Sequence, residues 1–114
     1  MATANELKKL MIEEFSGENA LKLYSKKSWE GLWLSEKHFF HKYFTKKGAK
    51  VLDLGCGTGR TTIPLHEMGF KVVGIDIVPA MIKSAKRIAK AQGLKINYQV
   101  GDATRLKFKD NTFD

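Results

Sequence analysis

The chain is short of cysteine and of long apolar runs, and each shortage excludes something. Cys56 is the single cysteine of 114 residues, so no internal disulfide can form and a reducing compartment is expected. No apolar stretch approaches the roughly 18 residues that a membrane span needs. "LMI" near the start runs at once into Glu13 and Glu14, which is no secretory core. A cytoplasmic protein without a membrane partner is therefore expected. The three histidines (His38, His41 and His66) lack the spacing to cysteine or acidic partners that a metal site requires, and no metal is expected. No repeat or low-complexity tract is present. With 43% apolar residues the chain has an ordinary globular composition, and its length allows one domain at most.

Acidic residues are also few, 12 against 20 basic ones, for a formal charge of +8. The excess is spread evenly: residues 1–50 carry ten Lys/Arg and six Glu, residues 51–114 ten and six. The densest cluster is Lys83, Lys86, Arg87 and Lys90, three and four apart on one helical face. A solvated helix face is the plain reading of that cluster, and RNA stays open as a polyanionic partner.

Residues 1–48 read as a helical lead-in, a candidate lid. Thr3 and Glu6 form a capping-box pair ahead of Leu7, Leu10, Met11 and Phe15 on one helical face, and Gly17 ends the helix. A second helix is expected over 18–26. A third is expected from a Ser35 cap, with Phe39, Phe40, Tyr43 and Phe44 as its aromatic face and Gly48 as its stop. From residue 49 the period changes. "KVLDL" reads as a strand, followed by a glycine loop and a short helix from about Arg60 to Met68 that carries Pro64 in its first turn. "KVVGID" is a second strand, Pro79 opens a helix to Gln92, and "INYQV" is a third strand. Strand, helix, strand, helix, strand with short connections specifies an α/β fold with a parallel, Rossmann-like sheet.

Ligands of such sheets bind at the carboxyl ends of the strands. Three features fall there: the glycine loop, Asp76 and Asp102. The loop reads G-x-G-x-G, Gly55, Gly57 and Gly59, with Arg60 where a dinucleotide fingerprint has its third glycine. Asp53 stands two residues before Gly55. Its charge would repel a pyrophosphate and attract a cation. Asp76 follows Gly55 by 21 residues, the place of an acid that accepts from ribose hydroxyls, and it serves either class of nucleotide ligand. Cys56 is read as a small loop residue lending its backbone. Tyr24, Trp29 and Trp33 are candidates for a lid over the ligand, against the plainer reading that they cover the sheet.

"VLDLGCGTGR", "VVGIDIVPAMI" and "VGDATRLKFKDNTFD" resemble, in order and spacing, the first three cofactor motifs of the class I S-adenosylmethionine-dependent methyltransferases. The likeness covers residues 50–114. It implies that Asp53 holds the methionine ammonium, directly or through water, and that Gly55, Cys56 and Gly57 pass beneath the methionine and ribose. It further implies that Asp76 accepts from the ribose hydroxyls, that Ile77 packs on adenine, and that Asp102 accepts from the adenine amino group beside the Ala103 backbone. Tyr24 could reach the methionine carboxylate. Val78 departs from the Ser or Asp that often precedes the helix-opening proline. Methyl transfer needs no protein nucleophile, so no catalytic side chain is expected.

In the resembling fold strands run 3-2-1-4-5, so 49–114 supply strands 3-2-1 and the second half of the sheet is missing. The expectation is an N-terminal half-domain, inactive alone, whose open strand-one edge pairs with a second copy. "LYSKKSWEGLW" is similar to the lead-in of small-molecule members, so a small-molecule acceptor is expected, its identity open. The competing readings are a non-catalytic module that binds RNA or a partner protein, and an NAD-dependent oxidoreductase.

Overall fold

A computed structural model describes residues 3–114. The elements are α1 (Ala4–Phe15), α2 (Glu18–Glu30), α3 (Leu34–Tyr43), β1 (Lys50–Leu54), α4 (Thr62–Glu67), β2 (Lys71–Asp76), α5 (Pro79–Ala91) and β3 (Asn97–Val100). The three strands form one sheet in the order β1-β2-β3, parallel throughout, with Asp53 opposite Gly74 and Gly74 opposite Tyr98. Because the order advances in one direction and the crossovers share one hand, α4 and α5 cover the same face. Packing agrees. Leu65 of α4 joins Phe70 and Val72, while Ile82, Ala85 and Ala89 of α5 join Tyr98 and Cys56. Val72 and Gly74 are two apart on β2 and so share a face.

Two glycines are tied to one ring. A Cβ on Gly74 would lie 2.7 Å from Tyr98 Cδ1, so the bare backbone of β2 is what lets the ring cross it. The Tyr98 hydroxyl ends against Gly59, where a Cβ would collide with it. That hydroxyl is buried without a hydrogen-bond partner, and burial pushes its pKa upward. Gly59 thus belongs to the packing of β3 against the loop.

The lead-in departs from expectation in several places. The Thr3–Glu6 capping box forms: Glu6 N–H donates to Thr3 Oγ1 at 3.2 Å, and Thr3 N–H to Glu6 Oε2 at 2.8 Å. The face that α1 presents is different, however. Leu7 and Leu10 are each 57% exposed, while Lys8, Ile12 and Phe15 turn inward. α2 runs on to Glu30, because Ser28 and its neighbours pack on the glycine loop and extend the helix past Lys26. α3 starts at Leu34, ahead of Ser35, since the Glu36 carboxylate accepts the Trp33 N–H at 2.9 Å and caps the helix a residue early. It stops at Tyr43, before Gly48. Its aromatic face is split: Phe40 and Phe44 pack towards Phe70, and Phe39 and Tyr43 stay exposed. α4 begins at Thr62, which leaves Pro64 in the first turn as expected.

β1 pairs with β2 on one side only. On the other, Asp114 N–H donates to Lys50 O at 2.8 Å and Lys50 N–H donates to Asp114 Oδ2 at 2.8 Å. No further strand meets that edge among the described residues, and Leu54 is 46% exposed. No helix among the described residues is long and apolar enough to cross a membrane. Lys83, Lys86, Arg87 and Lys90 line the exposed side of α5, opposite its buried Met81, Ile82, Ala85 and Ile88.

Candidate functional site

At the carboxyl ends of the strands lies a cleft of about 470 Å³, within the usual range for small-molecule sites. Gly55 and Gly57 form its floor. Both have left-handed backbones (φ 67° and 53°), and a Cβ on either would meet nothing within 4 Å, so bare backbone faces open space. Asp76, at the end of β2, braces this floor: its Oδ2 accepts the Gly57 N–H at 2.9 Å and its Oδ1 the Val78 N–H at 2.9 Å. Each oxygen keeps a lone pair for a further donor.

The far wall follows β3. Gly101, Asp102 and Ala103 line it, with Ile75, Ile77 and Met81 beside them as apolar surface. Asp102 is more heavily engaged than its sequence neighbourhood suggests. Its Oδ1 accepts from Thr104 N–H (2.9 Å) and Thr104 hydroxyl (2.7 Å), and its Oδ2 accepts from the Lys8 ammonium of α1. Lys8 and Thr104 together hold this carboxyl well below the usual carboxylate range. The lead-in supplies the roof through Lys8, Met11, Phe15 and Tyr24, with the Phe15 and Tyr24 rings 5.7 Å apart.

Of the residues expected at a ligand site, Tyr24, Gly55, Gly57, Asp76, Ile77, Asp102 and Ala103 come together around this cleft. Two do not line it. The Asp53 carboxylate turns beneath α4 and accepts the Thr62 hydroxyl at 2.7 Å, and burial pushes its pKa up. Cys56 donates its N–H to Ile75 O at 3.0 Å and buries its side chain against α5. Burial, with Asp53 and Asp76 nearby, raises the thiol pKa far enough to keep it an inert thiol. Trp29 and Trp33 are mostly exposed and stand outside the cleft, so they neither roof it nor cover the sheet.

Lys8 and Thr104 escaped the sequence reading. Lys8 carries a signal in retrospect, because it shares a helical stripe with Phe15 at i, i+7. The departure at Arg60 also has a cause. Its guanidinium forks Glu36 (2.6 and 3.0 Å), donates to Gly31 O at 3.4 Å and lies 4.8 Å over the Trp33 ring. It points away from the cleft and fastens the glycine loop to the α2–α3 junction.

A family model described as a methyltransferase domain matches residues 51–114, more than half of the chain. The chain belongs to the class I S-adenosylmethionine-dependent methyltransferases. It is 45% identical over 73 residues to norajmaline N-methyltransferase of Rauvolfia serpentina, covering 61% of this chain and 25% of that enzyme. To demethylmenaquinone methyltransferase of Thermus thermophilus it is 41% identical over 71 residues, covering 60% and 32%. Among solved structures, the PH0226 protein of Pyrococcus horikoshii superposes with a TM-score of 0.66 at 44% identity over 68% of this chain and 36% of that one. The chain thus spans about a quarter to a third of the length of the curated methyltransferases it matches. With the family shown, the fold of strands 3-2-1 is a Rossmann-like methyltransferase sheet, and the oxidoreductase reading falls.

Proposed function

We propose that the cleft is an S-adenosylmethionine site and that the protein to which it belongs methylates a small molecule. One observation carries the reading: the open Gly55–Gly57 floor, a braced Asp76 with free lone pairs and the Asp102 wall converge on one cavity at three parallel strand ends. The residues fit the cofactor on their own chemistry. Gly55 and Gly57 admit a ligand to van der Waals contact with backbone. Asp76 accepts from ribose hydroxyls while Gly57 and Val78 hold its rotamer. Ile77 and Met81 offer an apolar surface to adenine, and Asp102 has an acceptor position for the amino group. Tyr24 stands over the floor. Asp53 acts from behind the loop, as a buried negative charge towards the cationic end of the ligand. Cys56 contributes backbone.

Bound there, S-adenosylmethionine supplies a methyl group already activated on sulfonium. The chain's task is to orient it and exclude water, which the apolar wall and the roof of α1 and α2 perform. No side chain in the cleft is needed as a nucleophile. A small-molecule acceptor is favoured by relatives named for norajmaline and demethylmenaquinone and by the aromatic lead-in. β1 has no strand partner past Lys50 among the described residues, and a second copy pairing along that edge is the cover we propose for it.

Calorimetric titration with S-adenosylhomocysteine, with NADH as comparator, tests the reading. Saturable binding of the first alone supports it. No heat at millimolar ligand sinks it.

A further inference from the structure

The two parts of the roof are held differently. α2 is strapped to the glycine loop by buried polar bonds: Ser28 Oγ donates to Thr58 O at 2.8 Å, and Thr58 Oγ1 donates to Tyr24 O at 2.6 Å. Arg60 adds its fork to Glu36. α1 has no buried residue at all. Its joint with α2 is Ser16–Gly17, where the backbone leaves the helix for an extended conformation at Gly17 (φ −64°, ψ 152°). Phe15 rests on Tyr24 beside that joint, and half a helix away Lys8 is bonded to Asp102 at 2.5 Å and to Thr104 Oγ1 at 3.2 Å.

We infer that α1 is a hinged flap over the cleft, turning at Ser16–Gly17, and that Lys8 latches it to Asp102 and Thr104. The inference rests on the cleft being the ligand site. A twelve-residue helix is marginal by itself in water, and this one has little apolar burial to hold it. The latch adds a polar tie at the free end of α1 to its contacts with α2 and α5. α2 stays in place when the flap opens, since its bonds run to the loop and not to α1.

Latch and ligand meet at one oxygen. Thr104 fills both acceptor positions of Asp102 Oδ1, and Lys8 takes one of the two on Oδ2. A ligand amino group arriving at Asp102 shares Oδ2 with the ammonium, and the flap closes over the ligand with Lys8 still engaged. Lys8 is then a positioning residue: it acts through Asp102 and sets how long the cleft stays shut.

Hydrogen–deuterium exchange on the whole ligand-free chain tests the latch without reference to any ligand. Wild type is compared with Lys8→Met, Lys8→Arg and Lys9→Met; the last removes the same charge from an exposed neighbour. In Lys8→Met, amides of residues 4–15 should exchange faster by roughly two- to fivefold, the range that a partly exposed ion pair gives, with α2 unchanged. Lys8→Arg should restore wild-type exchange, and Lys9→Met should match wild type. Dissociation of S-adenosylhomocysteine, followed by competitive displacement, should quicken in Lys8→Met alone. Unchanged α1 exchange in Lys8→Met, or the same rise in Lys9→Met, overturns the latch. So does tighter ligand binding by Lys8→Met, which would make Lys8 a competitor. If wild type binds no S-adenosylhomocysteine, the site reading fails and the exchange comparison still decides the latch.

Discussion

The lead-in and the sheet half of this molecule are built on different forces. From residue 49 onward, apolar side chains at the strand and helix periods bury themselves in two clusters, and the glycines sit where a ring or a loop demands them. Before residue 49 the described residues bury only Ser28 and Leu32. There α1 and α2 are tied by polar bonds at named points (Ser28, Thr58, the Arg60–Glu36 fork and the Lys8 latch), while the end of α3 adds the partly buried Phe40 and Phe44 to the Phe70 cluster. On the flap inferred above, this contrast would give one chain a rigid floor and a detachable roof. Burial is cooperative and hard to undo locally, whereas a few polar contacts can open one at a time.

The largest effect expected of a single substitution is on the floor. Asp76→Ala removes the group that accepts the Gly57 and Val78 N–H bonds and would accept from the ligand. Loss of charged hydrogen bonds worth about 1.5–3 kcal/mol each should weaken S-adenosylhomocysteine by roughly a hundredfold, read by calorimetry. A change under threefold would remove Asp76 from the site. Next comes Gly74→Ala, whose Cβ would meet the Tyr98 ring at 2.7 Å and Cys56 Sγ at 3.1 Å. Such overpacking costs about 1–3 kcal/mol and should lower Tm clearly, while Leu10→Ala in α1 should stay within about 0.5 kcal/mol of wild type. Equal losses at the two sites would erase the contrast between the halves.

The motif half was legible because its rules are short-range. A change of period, glycines at fixed offsets and acids at strand ends specify both the sheet and what converges above it. What stayed hidden follows from contacts between distant segments. Lys8 lies 94 positions from Asp102, and its place on the Phe15 stripe does not by itself tell a roof lysine from a solvated one. Arg60 could be seen as out of place in a dinucleotide loop, yet its partner Glu36 lay in another helix. Trp29 and Trp33 misled, because aromatic character was read as burial; Trp33 instead spends its face on Arg60. The Asp53 carboxylate was expected at the cleft. The strand parity that pairs it with Gly74 turns it towards α4, and only the placement of Thr62 reveals that.

Asp53 sharpens the comparison through pH. Burial raises its folded-state pKa above the ordinary 3.8, so the charged carboxylate costs stability in the folded state. Its contribution is most favourable at acid pH and is lost as pH rises through the raised pKa. Asp53→Asn keeps an acceptor for Thr62 without the charge. Its Tm should match wild type near pH 3 and exceed it increasingly towards neutrality, while affinity for the cationic S-adenosylmethionine drops. A Tm difference independent of pH would show that the carboxylate is not strained by burial. A small effect is expected of Arg60→Met, which should speed amide exchange at the α2–α3 junction and shift Tm by the equivalent of about 1 kcal/mol or less. Cooperative loss of the sheet in that variant would mean that the two halves are not separable.

The most direct measurement is a two-dimensional NMR titration of the amide resonances with S-adenosylhomocysteine. The account predicts that shifts concentrate at Gly55, Gly57, Asp76, Ile77, Asp102 and Ala103, with smaller ones in α1, while Lys83, Lys86, Arg87 and Lys90 on the outer side of α5 stay unmoved. Shifts centred on α5, or none at saturating ligand, would contradict it.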